Sequence, residues 1–239
     1  MITFIVPARE GSQRLPNKNI KKLNGKPLIF YTIEALLNHD LISNIIFTSD
    51  SKEYCNLVEK KFGNKVIIEV RPKETASNNT KVVDEIERLL RFRSEHFKTE
   101  WFGLALPTAP LRNHQTVAKV LEVFESTNYP LFSCNAYDFP VQFAFRKDDK
   151  NNEYQNWTSI FDESPMITGN TRSQDIEKLL RPNGALYINK KSNFLDSKIL
   201  YKNANAFEIS RKESMDIDTE LDFKIVEILI KESNEKVKR

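Results

Sequence analysis

The sequence predicts an α/β fold built on a largely parallel sheet with helices on both faces. Three observations carry this expectation. Short apolar runs of strand length alternate with stretches of helical periodicity. Helix-capping and helix-ending residues fall between them, such as Ser51 before one helix and Gly63-Asn64 after it. The first apolar run, residues 2–6, leads straight into a loop with three cations, Arg9, Arg14 and Lys18. The carboxyl end of the first strand is where open α/β sheets bind ligands.

Each element follows in order. Residues 2–6 read as a strand. Pro27 suits the first turn of a helix, and Ile29, Ile33, Leu36 and Leu37 follow at i, i+4, i+7 and i+8. Residues 45–48 form a second strand, and Ser51 caps a helix running to about Phe62. Residues 66–70 read as a strand, 83–97 as a helix and 101–106 as a fourth strand. Val117, Val120, Leu121 and Phe124 line one face of a further helix, and residues 131–136 are a fifth strand. Beyond Asn135 the rhythm breaks. Residues 141–147 and 153–158 read as a protruding hairpin around a polar turn, 148–152. Its Phe139, Phe143, Phe145, Tyr154, Trp157 and Phe161 suggest a partner surface, most simply a second copy of the chain, or else a fold-back onto the parent core. Residues 184–188 return as a strand. Thr219 starts the last helix with Asp222 in a capping-box position, and Leu221, Ile225, Ile228 and Leu229 are expected to bury one face.

Composition narrows the function. The 239 residues suit one large domain, and 36 cations against 33 anions leave a net charge of only +3, weak grounds for a nucleic-acid partner. Cys55 and Cys134 are the only cysteines, which suits a reducing compartment. No apolar run approaches a membrane span and no basic leader precedes the first strand, so a cytoplasmic protein is expected.

The cationic loop has backbone N–H groups near Gly11-Ser12 that suit a polyphosphate, although a charged surface loop is the plainer reading. It matches neither G-x-G-x-x-G nor the P-loop. Asp216 and Asp218 stand at i and i+2 of an extended segment, so both carboxylates point to one side while Met215 and Ile217 face the core. A hard cation shared with phosphates would relieve their repulsion; alternatively, one is a helix-start anion and the other surface. Arg112, after the turn 107–111, is expected at the ligand edge of the sheet. Residues 172–175 and 181–187 supply amide, guanidinium and phenol donors suited to a polyhydroxylated acid, or serve as ordinary surface. No Ser or Cys lies in a nucleophile elbow, and displacement at phosphorus needs none.

Five segments in order resemble the acylneuraminate cytidylyltransferase family, the CMP-nonulosonate synthetases. They are Val6-Pro7-Ala8-Arg9-x-Gly11-Ser12-x-Arg14-x-Pro16-x-Lys18-Asn19, Pro107-Thr108-x-Pro110-Leu111-Arg112, Arg172-x-Gln174-Asp175, Arg181-Pro182-Asn183-Gly184-Ala185-x-Tyr187-Ile188 and Asp216-Ile217-Asp218. The resemblance implies a Rossmann-like, three-layer nucleotidyltransferase fold over 1–239, with a mainly parallel mixed sheet and a dimerisation ribbon at 138–170. It implies transfer of CMP from CTP to a nine-carbon α-keto acid sugar, with release of pyrophosphate. By resemblance Arg9, Ser12, Lys18 and Asn19 hold the nucleotide, with Arg71 and Thr80 beside it. Asp216 and Asp218 hold Mg²⁺, and Arg9, Lys18 and the two aspartates form the catalytic set. Arg172, Gln174, Asn183 and Tyr187 face the sugar. Leu106 stands where the family has Gln, which implies a change in the sugar substituents tolerated. Phe139-Pro140-Val141-Gln142 resembles members that act on di-N-acylated bacterial nonulosonates. Two other readings are a noncatalytic nucleotide-binding dimer and a transferase for another sugar acid such as 3-deoxy-octulosonate.

Overall fold

The computed structural model describes residues 1–72, 80–147, 157–170 and 172–237. The chain divides into two compact units, one formed by Met1–Cys134 with Pro182–Arg239 and one by Asn135–Arg181. The second is wider than the ribbon expected at 138–170.

The first unit opens with β1 (Ile2–Pro7), a short hairpin of β2 (Lys22–Leu23) and β3 (Lys26–Pro27), α1 (Leu28–Leu36) and β4 (Ile42–Ser49). Then come α2 (Lys52–Phe62), β5 (Ile67–Val70), α3 (Val82–Phe92), β6 (Trp101–Leu104), α4 (His114–Thr127) and β7 (Leu131–Ala136). In the second unit are β8 (Phe145–Lys147), β9 (Trp157–Ser159) and α5 (Pro165–Thr168). β10 (Leu180–Lys190), α6 (Lys191–Ser197), β11 (Asn205–Glu208) and α7 (Glu220–Val237) complete the chain. Seven strands make one sheet in the order β11-β7-β10-β6-β1-β4-β5. β1 lies parallel to both β4 and β6, whereas β10 runs antiparallel to β6.

The pleat of β1 explains the layering. Ile2, Phe4 and Val6 join one core with residues of α1, α2 and α4, while Ile5 joins the other with residues of α3 and α6. Because β4 and β6 flank β1 on opposite sides, the chain reverses its winding there. The loops leaving β1 and β6 therefore emerge side by side, the topological switch point at which open α/β sheets form their crevices. A smaller third core, Leu15, Leu23, Leu28, Ile217, Phe223, Val226 and Ile230, pins the loop after β1 to α7.

Three local expectations change. α7 buries Phe223, Val226 and Ile230, leaving Leu221, Ile225 and Ile228 exposed. Both residue sets satisfy helical spacing; the set containing the large Phe223 meets the third core. Ser51 precedes α2, but its hydroxyl donates to Glu10 Oε1 at 3.2 Å instead of capping the helix. The helix expected over 83–97 stops at Phe92, and a 3₁₀ turn at Ser94–His96 follows. The capping box of α7 forms: Thr219 N–H donates to Asp222 Oδ2 at 2.7 Å, and Asp222 N–H donates to Thr219 Oγ1 at 3.2 Å.

In the second unit β8 and β9 pair antiparallel, with the Phe145 and Trp157 rings edge-on at 6.0 Å. Phe139, Phe145, Trp157 and Phe161 are exposed. Residues 141–143 form a 3₁₀ turn instead of strand. The expected hairpin turn and Tyr154 lie outside the described residues.

Gly103, in the middle of β6, faces Phe4 of β1 so closely that an added Cβ would sit 2.4 Å from the ring. Gly103→Ala must push Phe4 out of its core position, with an overpacking penalty of about 1–3 kcal/mol. Thermal and denaturant unfolding should show this loss, and unchanged stability would mean that Phe4 has room to turn.

Candidate active site

The loop after β1 is shaped by its own sequence. Leu15 plugs into the third core, Asn17 adopts a left-handed conformation (φ 54°), and Lys18 and Asn19 open a 3₁₀ turn at Lys18–Ile20. Asn19 Nδ2 donates to the carbonyl of Arg9 at 2.9 Å, closing the loop on itself. Lys18 is buried and reaches the far end of the chain: its ammonium donates to the Ile217 carbonyl at 2.6 Å and to Asp218 Oδ1 at 3.0 Å. Arg14 holds the other oxygen, Asp218 Oδ2, at 2.7 Å. Arg14 is largely exposed, so its pair contributes little; Lys18 is shielded and carries the junction. Ser12 and Arg9 sit half-buried in the same loop.

The Asp216–Asp218 segment lies outside any helix or strand, with Ile217 buried between the two aspartates. Ile217 N–H donates to the Thr108 carbonyl at 2.8 Å, which ties this segment to the loop after β6. Asp216 opens to solvent on one side and is crowded by protein on the others. That loss of water raises its carboxyl above the usual range, against a hydrogen bond from the Thr108 side chain, and Asp218 adds repulsion. Two hard oxygen donors two residues apart, one disfavoured as an anion, fit a cation such as Mg²⁺. Each Asp218 oxygen keeps a lone pair beyond its contact with Arg14 or Lys18. Among the described residues no third His, Cys, Asp or Glu joins them, so phosphates and water would supply the remaining ligands.

The loop after β6 corrects one expectation. Arg112 does not reach a ligand edge but is wholly buried, donating to the Ala185 carbonyl at 2.5 Å, Thr32 Oγ1 at 2.7 Å and the Leu106 carbonyl at 3.4 Å. Burial without a carboxylate pushes its pKa down to about 9. Leu106 is half-buried, 3.3 Å from where a Cβ on Gly184 would lie. Beside that glycine, whose φ is +76°, Asn183 Oδ1 accepts from Ser133 Oγ at 2.6 Å. The Asn183 Nδ2 has no partner among the described residues. Tyr187 is buried, its hydroxyl 3.1 Å from that of Tyr201, and burial raises its pKa well above the phenol range.

The fold thus brings Arg9, Ser12, Lys18 and Asn19 together in one loop that meets Asp218 and, through it, Asp216. Arg71 and Thr80 belong to a different stretch, after β5; Arg71 is buried and Thr80 half-buried. Arg172 and Gln174 lie exposed in the second unit, at the 3₁₀ turn Ser173–Asp175, with Arg172 Nε 3.4 Å from Asp175 Oδ2. Thr108 and Arg14 are contributors that the motif reading undervalued. Thr108 stands in the Pro-Thr-x-Pro turn, and that position was its only signal.

Comparison with known proteins agrees with this geometry. Residues 3–239 match the model of a family described as cytidylyltransferase. Pseudaminic acid cytidylyltransferase of Campylobacter jejuni serotype O:23/36 is 33% identical over 97% of each chain. CMP-N,N'-diacetyllegionaminic acid synthase of Legionella pneumophila is 27% identical over 98% of each. N-acylneuraminate cytidylyltransferase of Escherichia coli O18:K1:H7 is 29% identical over 99% of this chain and 54% of its own length. Among solved structures, CMP:2-keto-3-deoxy-manno-octonic acid synthetase in complex with CTP is similar with a TM-score of 0.65 and 15% identity, covering 98% of this chain and all of its own. The 4-diphosphocytidyl-2C-methyl-D-erythritol synthase of Anaerococcus prevotii follows with a TM-score of 0.61 and 12% identity, over 96% of each chain. Those two likenesses speak to the fold, a mainly parallel mixed α/β sheet of the nucleotidyltransferase kind. The chain is a nucleotidyltransferase and belongs to the cytidylyltransferase family, among the CMP-nonulosonate synthetases.

Proposed function

We propose that this protein joins CTP to a nonulosonic acid, giving the CMP-sugar and pyrophosphate. The observation that supports this reading best is the junction of Lys18 with Ile217 and Asp218, because it joins a cationic loop to a carboxylate pair at the switch point of the sheet. The anomeric hydroxyl oxygen would bond to the α-phosphorus of CTP as the bond to the β-phosphate oxygen breaks, and the hydroxyl proton would pass to the medium. Catalysis of such a displacement is mostly positioning and charge neutralisation. In this reading Arg9, Ser12, Lys18 and Asn19 hold the phosphates, with Arg14 able to exchange Asp218 for a phosphate oxygen at the exposed rim. Asp216 and Asp218 would hold Mg²⁺, which supplies charge neutralisation on the attacking and leaving oxygens when bound. In the first unit Leu106, Asn183 and Tyr187 are the candidates for the sugar; Arg172 and Gln174 are the second unit's candidates. The relatives carry the names of three different nonulosonic acids, so the substrate class is set more firmly than the individual sugar.

A panel of nonulosonic acids incubated with CTP and Mg²⁺ should release pyrophosphate with at least one member. Chelation should stop the release and added Mg²⁺ restore it. Silence across the panel would refute the reading. Asp218→Asn should lower kcat by ~100-fold or more, the scale of removing one aligned charge from a transition state. Turnover within a few-fold of the native rate would remove Asp218 from the catalytic set.

We also propose that the exposed aromatics of the second unit, Phe139, Phe145, Trp157 and Phe161, join two copies of the chain. Light scattering at micromolar concentration should give twice the chain mass, and Trp157→Glu with Phe145→Glu should give the monomer. A cytoplasmic location fits two buried cysteines outside any disulfide, Cys55 and Cys134, and no described helix is long and apolar enough to cross a membrane.

A further inference from the structure

A second cleft, of about 560 Å³, opens where β1, β4 and β5 end; Glu10, Asp50, Ser51, Lys52, Glu53 and Arg71 line it. Arg71 is only 6% exposed. Its nearest acid is Asp50, whose Oδ1 lies 3.6 Å from the guanidinium, and its Nε has no partner among the described residues. A guanidinium this deep, with one distant carboxylate, is under-satisfied and retains donors for a bound molecule. The same Asp50 oxygen accepts from the backbone N–H of Glu10 at 3.0 Å, so one carboxylate touches both the loop after β1 and Arg71. Glu10 is held in turn by the Ser51 hydroxyl.

The charge of the cleft says which part of a ligand suits it. On α2 beside it, the Tyr54 phenol and the Cys55 thiol are pushed up to about 12 and about 11. Burial is the main cause, and nearby carboxylates, Glu10 and Asp50 for the tyrosine and Asp50 for the cysteine, add to it. Three acids, Glu10, Asp50 and Glu53, outnumber the two cations, Lys52 and Arg71, so the cleft disfavours a triphosphate. A neutral nucleoside, which offers both donors and acceptors, is not disfavoured.

We propose that Asp50 is a positioning residue for nucleotide recognition: its carboxylate fixes the backbone at Glu10 and holds the Arg71 guanidinium for the nucleoside end of CTP, while the phosphates lie with the cations around Lys18. This assignment rests on the reading of the protein as a CTP-dependent transferase. It differs from a general structural role because it confines the effect of Asp50 to one end of one substrate.

The test compares the binding of CTP, cytidine and inorganic tripolyphosphate to the native chain, Asp50→Asn and Arg71→Gln. Asparagine retains an acceptor for the Glu10 N–H and removes the charge opposite Arg71. The expected result is that CTP and cytidine bind about tenfold more weakly to Asp50→Asn, the size of one charge-assisted hydrogen bond, with tripolyphosphate unchanged. In turnover, KM for CTP should rise by the same factor while kcat and KM for the sugar stay near native. Arg71→Gln should show the same pattern, and the double variant should add little to either alone, since both would act through one contact. Should Asp50→Asn fail to fold, the selective loss in Arg71→Gln carries the test. Three results would overturn the assignment: CTP binding to Asp50→Asn within twofold of native, equal weakening of cytidine and tripolyphosphate, or additive effects in the double variant. A native chain that binds no CTP would overturn the transferase reading and this assignment together.

Discussion

One buried guanidinium ties α1, β10 and the end of β6 into a single floor. Arg112 follows the turn that ends β6 and turns inward, to Thr32 on α1, to the Leu106 carbonyl where β6 runs out, and to the Ala185 carbonyl on β10. Those three points surround the place where the antiparallel strand β10 lies against the parallel part of the sheet. Taking an arginine out of water without a carboxylate is costly, and the fall of its pKa to about 9 records that cost. What offsets it is directional. Donors fixed on one planar group reach two carbonyls and a hydroxyl on three separate stretches, though Nε has no partner among the described residues. A lysine offers three donors from a point and cannot span the same triangle.

With that floor fixed, the rest of the site becomes a matter of connecting distant parts of the chain. The Asp216–Asp218 segment is placed by the Ile217 N–H bond to Thr108, in the turn between Leu106 and Arg112. Lys18 then reaches it across 200 residues. The junction is buried on the lysine side and open on the Arg14 side. Its inner half is therefore shielded from salt, whereas its outer half is free to rearrange around an anion. A loop whose base is fixed and whose rim can exchange partners suits repeated binding and release of a charged substrate.

How much of this was legible in the sequence varies with range. Elements governed by local chemistry were readable: β1, the capping box at Thr219 and Asp222, and the alternation of Asp216 and Asp218 around buried Ile217. The pairing of the loop with the aspartates was readable only through the order of the motifs. What failed were choices that only tertiary packing makes. α7 carries two apolar stripes of equal helical quality, and the third core selects Phe223, Val226 and Ile230. Ser51 stands at a good capping position, yet Glu10 offers its hydroxyl an acceptor from 41 residues away. Arg112 carries a charge, and charge alone argues for the surface; the carbonyls that draw it inward lie on other strands and helices.

The two ends of the crevice also differ in sign, and this constrains how a nucleotide can lie. Around Lys18 and Arg14 the loop offers cations, with Asp218 paired to both and Asp216 and Asp222 close to Lys18. Across the ends of β4 and β5, the acids Glu10, Asp50 and Glu53 face Lys52 and the buried Arg71. A nucleoside triphosphate is itself polar in this sense, neutral at the base and strongly negative at the phosphates. Only one orientation puts its charge beside the cations and its uncharged end beside the acids; reversal would set phosphates against Glu10 and Asp50 at separations where like charges repel strongly. In the proposed reading, charge would set the direction of binding before any contact to the base is made, leaving the base contacts to decide which nucleotide is accepted.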